Sequence, residues 1–274
     1  MTTNFINVKL WFSIPSLFFL LLFFFYFLFV SEGDNFINQY ISSQKDLFFY
    51  LNGKLSEYPN LQLNFTQLGD ILISFSLLSI LTLYAPKFFE AFFTSATLSL
   101  IVSASLKKIF SVPRPAAIFD NDSFVIIGRT LSGDTSLPSG HSIATFLVIT
   151  LLSFAFMPKK NINRIFWLFF MFTIGLVVAF SRVGVGAHYP FDVIIGSIIG
   201  YTVAIIGIVM NNKIKWLRWI KNKKYYPILI LLLVTCTLLI IKKLLNTNLI
   251  IFYFSLLTLI VTLYLIINSY VKKN

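Results

Sequence analysis

Polar and apolar residues fall into long blocks along this chain rather than alternating with a short period. Apolar runs of roughly eighteen residues recur throughout, a length that crosses a bilayer as a helix. They predict spans at 10–30, 68–85, 88–106, 142–157, 165–181, 191–210, 227–241 and 249–270, eight helices in all. The first, LWFSIPSLFFLLLFFFYFLFV, is longer than a signal-peptide core, follows a single basic residue, Lys9, and has no small-x-small site after it, so a retained helix is expected. Residues 31–67 are polar, and DNFINQYISSQKDLFFYLNGKL within them predicts an amphipathic segment on the membrane surface. The fold class is therefore an all-α, polytopic membrane helical bundle.

Composition sharpens that reading. A chain that is 57% hydrophobic, with 32 phenylalanines, has more apolar surface than a water-soluble fold can hide. The net charge of +12 would suit nucleic acid, but the basic residues stand in short segments between apolar runs. That is the pattern of topology signals and of contacts with anionic lipid, so no nucleic-acid partner is expected. Lys87, Lys159, Lys160, Arg164, the cluster KIKWLRWIKNKK and the terminal Lys272 and Lys273 all fall on one side of an eight-span thread. This side is expected to be cytoplasmic. Lys107, Lys108, Arg114, Arg129 and Arg182 then lie on the opposite face, against the rule. Cys236, the single cysteine, sits inside an apolar run and reads as a packing residue.

Three clusters gather on that opposite face. In KKIFSVPRP, Lys107 ends a helix, and Pro113 and Pro115 push Arg114 into extended backbone. A guanidinium held that way suits bidentate phosphate binding, although Lys107 and Lys108 taken alone read more readily as snorkelling residues. In LPSGHS, Ser139 is a good N-cap, Gly140 lets backbone N–H groups approach an anion, and His141 occupies the first turn. An ordinary capped helix with an interfacial histidine explains that stretch as well. In SRVGVGAHYPFD, Pro190 fits a first helical turn from which Asp192 reaches back to one nitrogen of His188, leaving the other free to attack. A helical hairpin with capping charges is the weaker account, because ionisable residues at the membrane boundary are functional by default. The chain has only two histidines, and both lie in these clusters. Three cations, a helix N-terminus and a His–Asp pair describe a site for a phosphoryl group.

Lys107, six residues, Arg114-Pro115; Pro138-Ser139-Gly140-His141; Ser181-Arg182, five residues, His188, three residues, Asp192: this resembles the three-part signature of the type 2 phosphatidic acid phosphatase superfamily. Order and spacings match throughout. The resemblance implies a six-helix lipid phosphatase core over 1–210, leaving a basic loop, 211–226, and two additional transmembrane helices in 227–274 that it does not explain. It implies His188 as nucleophile, Asp192 as its orienting partner and His141 as proton donor to the leaving group. Lys107, Arg114, Ser139, Gly140 and Arg182 would hold the phosphate oxygens. No cofactor and no metal are implied, and the sequence offers no carboxylate cluster with ligand spacing. Substrates of the family are phosphates of membrane lipids, among them phosphatidic acid, phosphatidylglycerophosphate, undecaprenyl diphosphate and lipid A. A phosphotransferase using the same histidine, a vanadate site as in the related haloperoxidases, and an anion or lipid transporter stand as alternatives. Residues 227–274 lie outside every motif and are expected to serve stability, partner contact or lipid access.

Overall fold

A computed structural model describes residues 4–26, 36–214 and 216–272. The end of the first expected span (27–30), the start of the expected amphipathic segment (31–35), Lys215 and Lys273 lie outside the described residues. Among the described residues the α-helices are α1 (Ile14–Phe25), α2 (Phe36–Ser42), α3 (Lys45–Leu55), α4 (Pro59–Leu68), α5 (Ile71–Leu78), α6 (Leu81–Tyr84), α7 (Pro86–Phe110), α8 (Pro115–Ile118), α9 (Gly140–Ala155), α10 (Asn161–Gly184), α11 (Pro190–Ile214), α12 (Tyr226–Asn246) and α13 (Ile250–Val271). Among the described residues, five stretches are long and apolar enough to cross a membrane: Pro86–Ile118, α10, α11, Lys223–Asn246 and α13. Two shorter apolar helices, Leu10–Phe25 and α9, accompany them. The molecule is an all-α membrane bundle.

Two expectations change in detail. The span expected at 68–85 is not one helix but α5 and α6 with a break between them. Serine and threonine hydroxyls there bond back to their own backbone, Ser76 to Leu72 and Thr82 to Ser79, which bends and interrupts a helix. Pro86 then restarts the chain as α7, with Ala85 held out of helical geometry by the proline that follows. The polar stretch 31–67 is likewise not a single surface helix. Its described part forms α2, α3 and α4, whose inner faces bury Tyr40, Phe48, Asn52, Gln62 and Thr66. The amphipathic pattern was real, but its apolar stripe covers protein.

At the centre, α11 packs between α7 and α9, and α10 packs on α9. Small residues allow this. A side chain on Gly196 would meet the Ser139 carbonyl at 2.7 Å, and one on Gly200 would collide with the Ile143 carbonyl, so α9 and α11 pass backbone to backbone. Hydroxyls stitch other helices together where lipid offers no partner: Ser16 to Thr202 at 2.8 Å joins α1 to α11, and Ser79 to Thr262 at 2.9 Å anchors α13. The α12–α13 pair lies against α5.

This close approach predicts an asymmetry between two glycines. Gly200→Ala places a methyl against backbone that cannot yield and should cost about 1–3 kcal/mol. Gly53→Ala in α3 meets nothing within 4 Å and should be neutral or slightly stabilising. Thermal unfolding of the two purified variants in detergent checks this; equal midpoints would contradict the packing.

Candidate active site

Three loops meet at one end of the bundle, beside the start of α11. The loop between α8 and α9 carries no helix and is held by backbone bonds: Arg114 N–H to Gly133 C=O at 2.9 Å, Ser136 N–H to Val112 C=O at 2.9 Å and Ile127 N–H to Val185 C=O at 3.3 Å. Asn52 clamps it from α3. Its amide donates to the carbonyls of Val125 and Val183, each at 3.0 Å, while its own oxygen accepts from Val125 N–H. Gly186 has φ 75°, and a side chain there would strike Val125 C=O, so the turn into α11 must be glycine.

Asp192 is fully buried in the first turn of α11. Four donors converge on its carboxylate. Oδ1 accepts from the Tyr40 hydroxyl at 2.7 Å; Oδ2 accepts from the Ser136 hydroxyl at 2.6 Å and from Tyr189 N–H at 2.9 Å. His188 Nδ1 lies 3.4 Å from the same Oδ2. The other ring nitrogen, Nε2, faces the Arg114 guanidinium at 3.2 Å. Arginine can only donate, so Nε2 presents its lone pair and Nδ1 carries the proton toward Asp192. That is the tautomer of a nucleophilic histidine. Burial and then the positive charges of Arg114, Arg182, Lys107 and His141 hold the His188 ring well below the ordinary histidine range.

The cations are placed by different elements. Arg114 follows the predicted extended geometry (φ −74°, ψ 160°). It is fixed by bonds to Ala187 C=O at 2.9 Å and to the hydroxyl and carbonyl of Thr135 at 3.3 Å each. Arg182, in the last turn of α10, donates to the Thr66 hydroxyl at 2.6 Å, while its buried Nε has no partner among the described residues. Lys107, in the last turn of α7, brings Nζ within 3.7 Å of where a side chain on Gly140 would begin. Ser139 caps α9, its hydroxyl accepting from Ser142 N–H at 3.4 Å and its N–H donating to Asp192 C=O at 3.1 Å. The next N–H groups, of Gly140 and His141, open the helix without intrahelical acceptors and add positive potential. All eight residues singled out from the sequence thus surround one spot. Lys108 and Arg129, also on that face, take no part among the contacts described.

Sequence reasoning did not find Tyr40, Ser136, Asn52, Thr66 or Thr135. They lie outside the three motifs, and no local pattern distinguishes them. Among the described residues, no group of three or more His, Cys, Asp or Glu side chains comes together.

These residues gather at one end of an all-α membrane bundle. Residues 88–216, a segment that holds every motif residue, match the model of the PAP2 superfamily. No curated protein matches the chain. Among solved structures, the crystal structure of Aquifex aeolicus LpxE is similar, at 24% identity and a TM-score of 0.51 over 61% of this chain and 94% of that one; the two share a fold. Helices α1 to α6, α12 and α13 lie outside the matched segment.

The tautomer is open to direct measurement. With only two histidines to assign, nitrogen NMR of the histidine-labelled protein should show His188 as the Nδ1–H form at neutral pH. Because its titration is displaced downward, the ring should remain neutral at pH 6.5, where an ordinary histidine is half protonated. An Nε2–H signal, or half protonation at pH 6.5, would contradict the geometry.

Proposed function

We propose that this chain removes phosphate from a membrane lipid through a covalent phosphohistidine on His188. The observation that carries the reading is the His188 ring itself, with Nδ1 on a buried carboxylate and Nε2 open toward three cations. In the first step Nε2 attacks phosphorus, a P–N bond forms, and the P–O bond to the lipid breaks as His141 gives that oxygen a proton. Water then attacks the phosphohistidine and returns a proton to His141, releasing inorganic phosphate and restoring His188. Lys107, Arg114, Arg182 and the N–H groups opening α9 neutralise the equatorial oxygens as charge builds. Ser139 fixes that helix start.

A lipid substrate suits the surroundings. A cavity of about 760 Å³ opens between α1, α9, α10 and α11, walled by residues such as Phe172, Phe180, Ile194 and Tyr201. Phe180 and Ile194 stand on the turns next to Arg182 and Asp192, so hydrocarbon in this cavity would bring its head group to the cations.

His188→Ala should abolish phosphate release, and acid-labile, base-stable phosphate should be trapped on His188 of the native protein. Asp192→Asn should fall by roughly a thousandfold yet retain a residue of turnover, since orientation is lost while the nucleophile stays. An active alanine variant would sink the assignment.

The lysine and arginine distribution supports a site on the outer face of a cytoplasmic membrane, periplasmic if the cell is bacterial. Ser123, exposed in the loop before α9, and Asn212, exposed near the end of α11, lie toward opposite faces. In a Cys236→Ser background, single cysteines at these positions should separate in whole cells. A membrane-impermeant thiol reagent should label only the former; labelling confined to position 212 would reverse the orientation.

A further inference from the structure

The apolar cavity between α1, α9, α10 and α11 continues away from the phosphate site. From Phe180 and Ile194 it runs along α10 to Phe154 and Leu168, where it adjoins a second cavity of about 310 Å³ that those two residues also line. Lys159 and Arg164 belong to the wall of this second cavity, together with Asn7 and Phe12 of the N-terminal segment. Arg164 and Arg182 stand eighteen residues apart on α10, about 27 Å of helix axis, close to the bilayer's hydrocarbon thickness of about 30 Å. With Arg182 at the depth of one leaflet's phosphates, Arg164 is at the depth of the other's.

The two cavities differ in chemistry. Hydroxyls of the larger are turned into the protein: Ser197 donates to Val193 C=O at 2.7 Å and Tyr201 to Phe12 C=O at 3.1 Å. Walls of that kind suit hydrocarbon. The smaller cavity carries exposed cations. Arg164 uses only Nε, which donates to Pro158 C=O at 2.9 Å, and its two terminal nitrogens remain for an anion. Among the described residues, no carboxylate pairs with Arg164 or Lys159. A lipid with its head group at Arg182 spans only its own leaflet, about 15 Å, and stops short of these cations. Their ligand enters from the other side and has an anionic head on a hydrocarbon chain.

We infer that Lys159 and Arg164 bind the phosphate of an anionic phospholipid from the leaflet opposite the phosphate site, with an acyl chain entering the apolar cavity past Phe154 and Leu168. His141 opens α9 and His188 precedes α11, both at the far end of the bundle, so this lipid is held and not cleaved.

The test measures equilibrium binding of acyl-labelled phosphatidylglycerol, and of phosphatidylcholine with the same chains, to the full chain in detergent. Phosphatidylglycerol has no terminal phosphate, so its binding is read without turnover. It should bind about tenfold or more tightly than phosphatidylcholine, the scale of two cations facing a net negative head group. Lys159→Gln combined with Arg164→Gln should bring the two lipids within about twofold of each other. Lys223→Gln combined with Lys224→Gln removes the same charge from exposed positions at the same end of the bundle, outside the cavity wall, and should keep the preference. Leu168→Trp fills the junction of the cavities and should weaken both lipids about tenfold, the scale of two methylenes losing their burial. An unmodified protein without preference, an equal loss in the two double variants, or unchanged binding in Leu168→Trp would each overturn the inference. The second of these outcomes would mean a diffuse surface attraction in place of a site. Should Leu168→Trp not fold, the contrast between the two double variants decides.

Discussion

Burying a carboxylate costs several kcal/mol unless donors replace its water, and Asp192 has no exposed surface. Its four replacement donors come from three places in the chain. Tyr40 belongs to α2, Ser136 to the loop before α9, and His188 and Tyr189 to the turn that opens α11. Position in the first turn of a long helix adds the favourable end of the helix dipole. The carboxylate thus couples elements that would otherwise meet only through apolar contact. Remove it and α2, the long loop and His188 lose their common anchor.

The cations pose the opposite problem. Arg114 and Arg182 are each less than a tenth exposed, and Lys107 stands near them at the same end of the bundle. Backbone carbonyls and hydroxyls satisfy part of their donor capacity: Ala187 and Thr135 for Arg114, Thr66 for Arg182. Those partners carry no full negative charge. Polar but uncharged partners therefore fix the geometry of the cations without neutralising them, the kind of preorganised positive field in which an anion is stabilised.

The helical class, the three clusters and their shared face were legible because each rests on short-range information: apolar run length, proline and glycine positions, and basic residues on the unexpected side. Arg114 between two prolines and Asp192 one turn from His188 are local facts. What could not be read is what packs around them. Tyr40 and Asp192 are joined across 152 positions, and Arg182 and Thr66 across 116. The break between α5 and α6 was also hidden, because serine and threonine within an apolar run scarcely lower its hydropathy yet compete for helical carbonyls. The stretch 31–67 misled for a related reason. An amphipathic stripe looks the same whether it faces lipid head groups or the top of a bundle.

The same distinction separates chemistry from selectivity. The motif residues from Lys107 to Asp192 all lie within the matched segment 88–216. Two of the side chains that hold them do not: Tyr40 on α2 and Thr66 on α4 come from outside it. A phosphoryl group is the same in every lipid phosphate, so the groups that hold it can sit on one short, well-packed set of helices. What differs among lipids is the leaving group and the chain behind it. The apolar cavity nearby is walled by α1, α9, α10 and α11. Polar links such as Asp70 to Lys243, and Asn64 to the Ile251 backbone of α13, bind the outer helices to the bundle. Helices that carry no motif therefore still have a geometric hold on the site, through Tyr40 and Thr66.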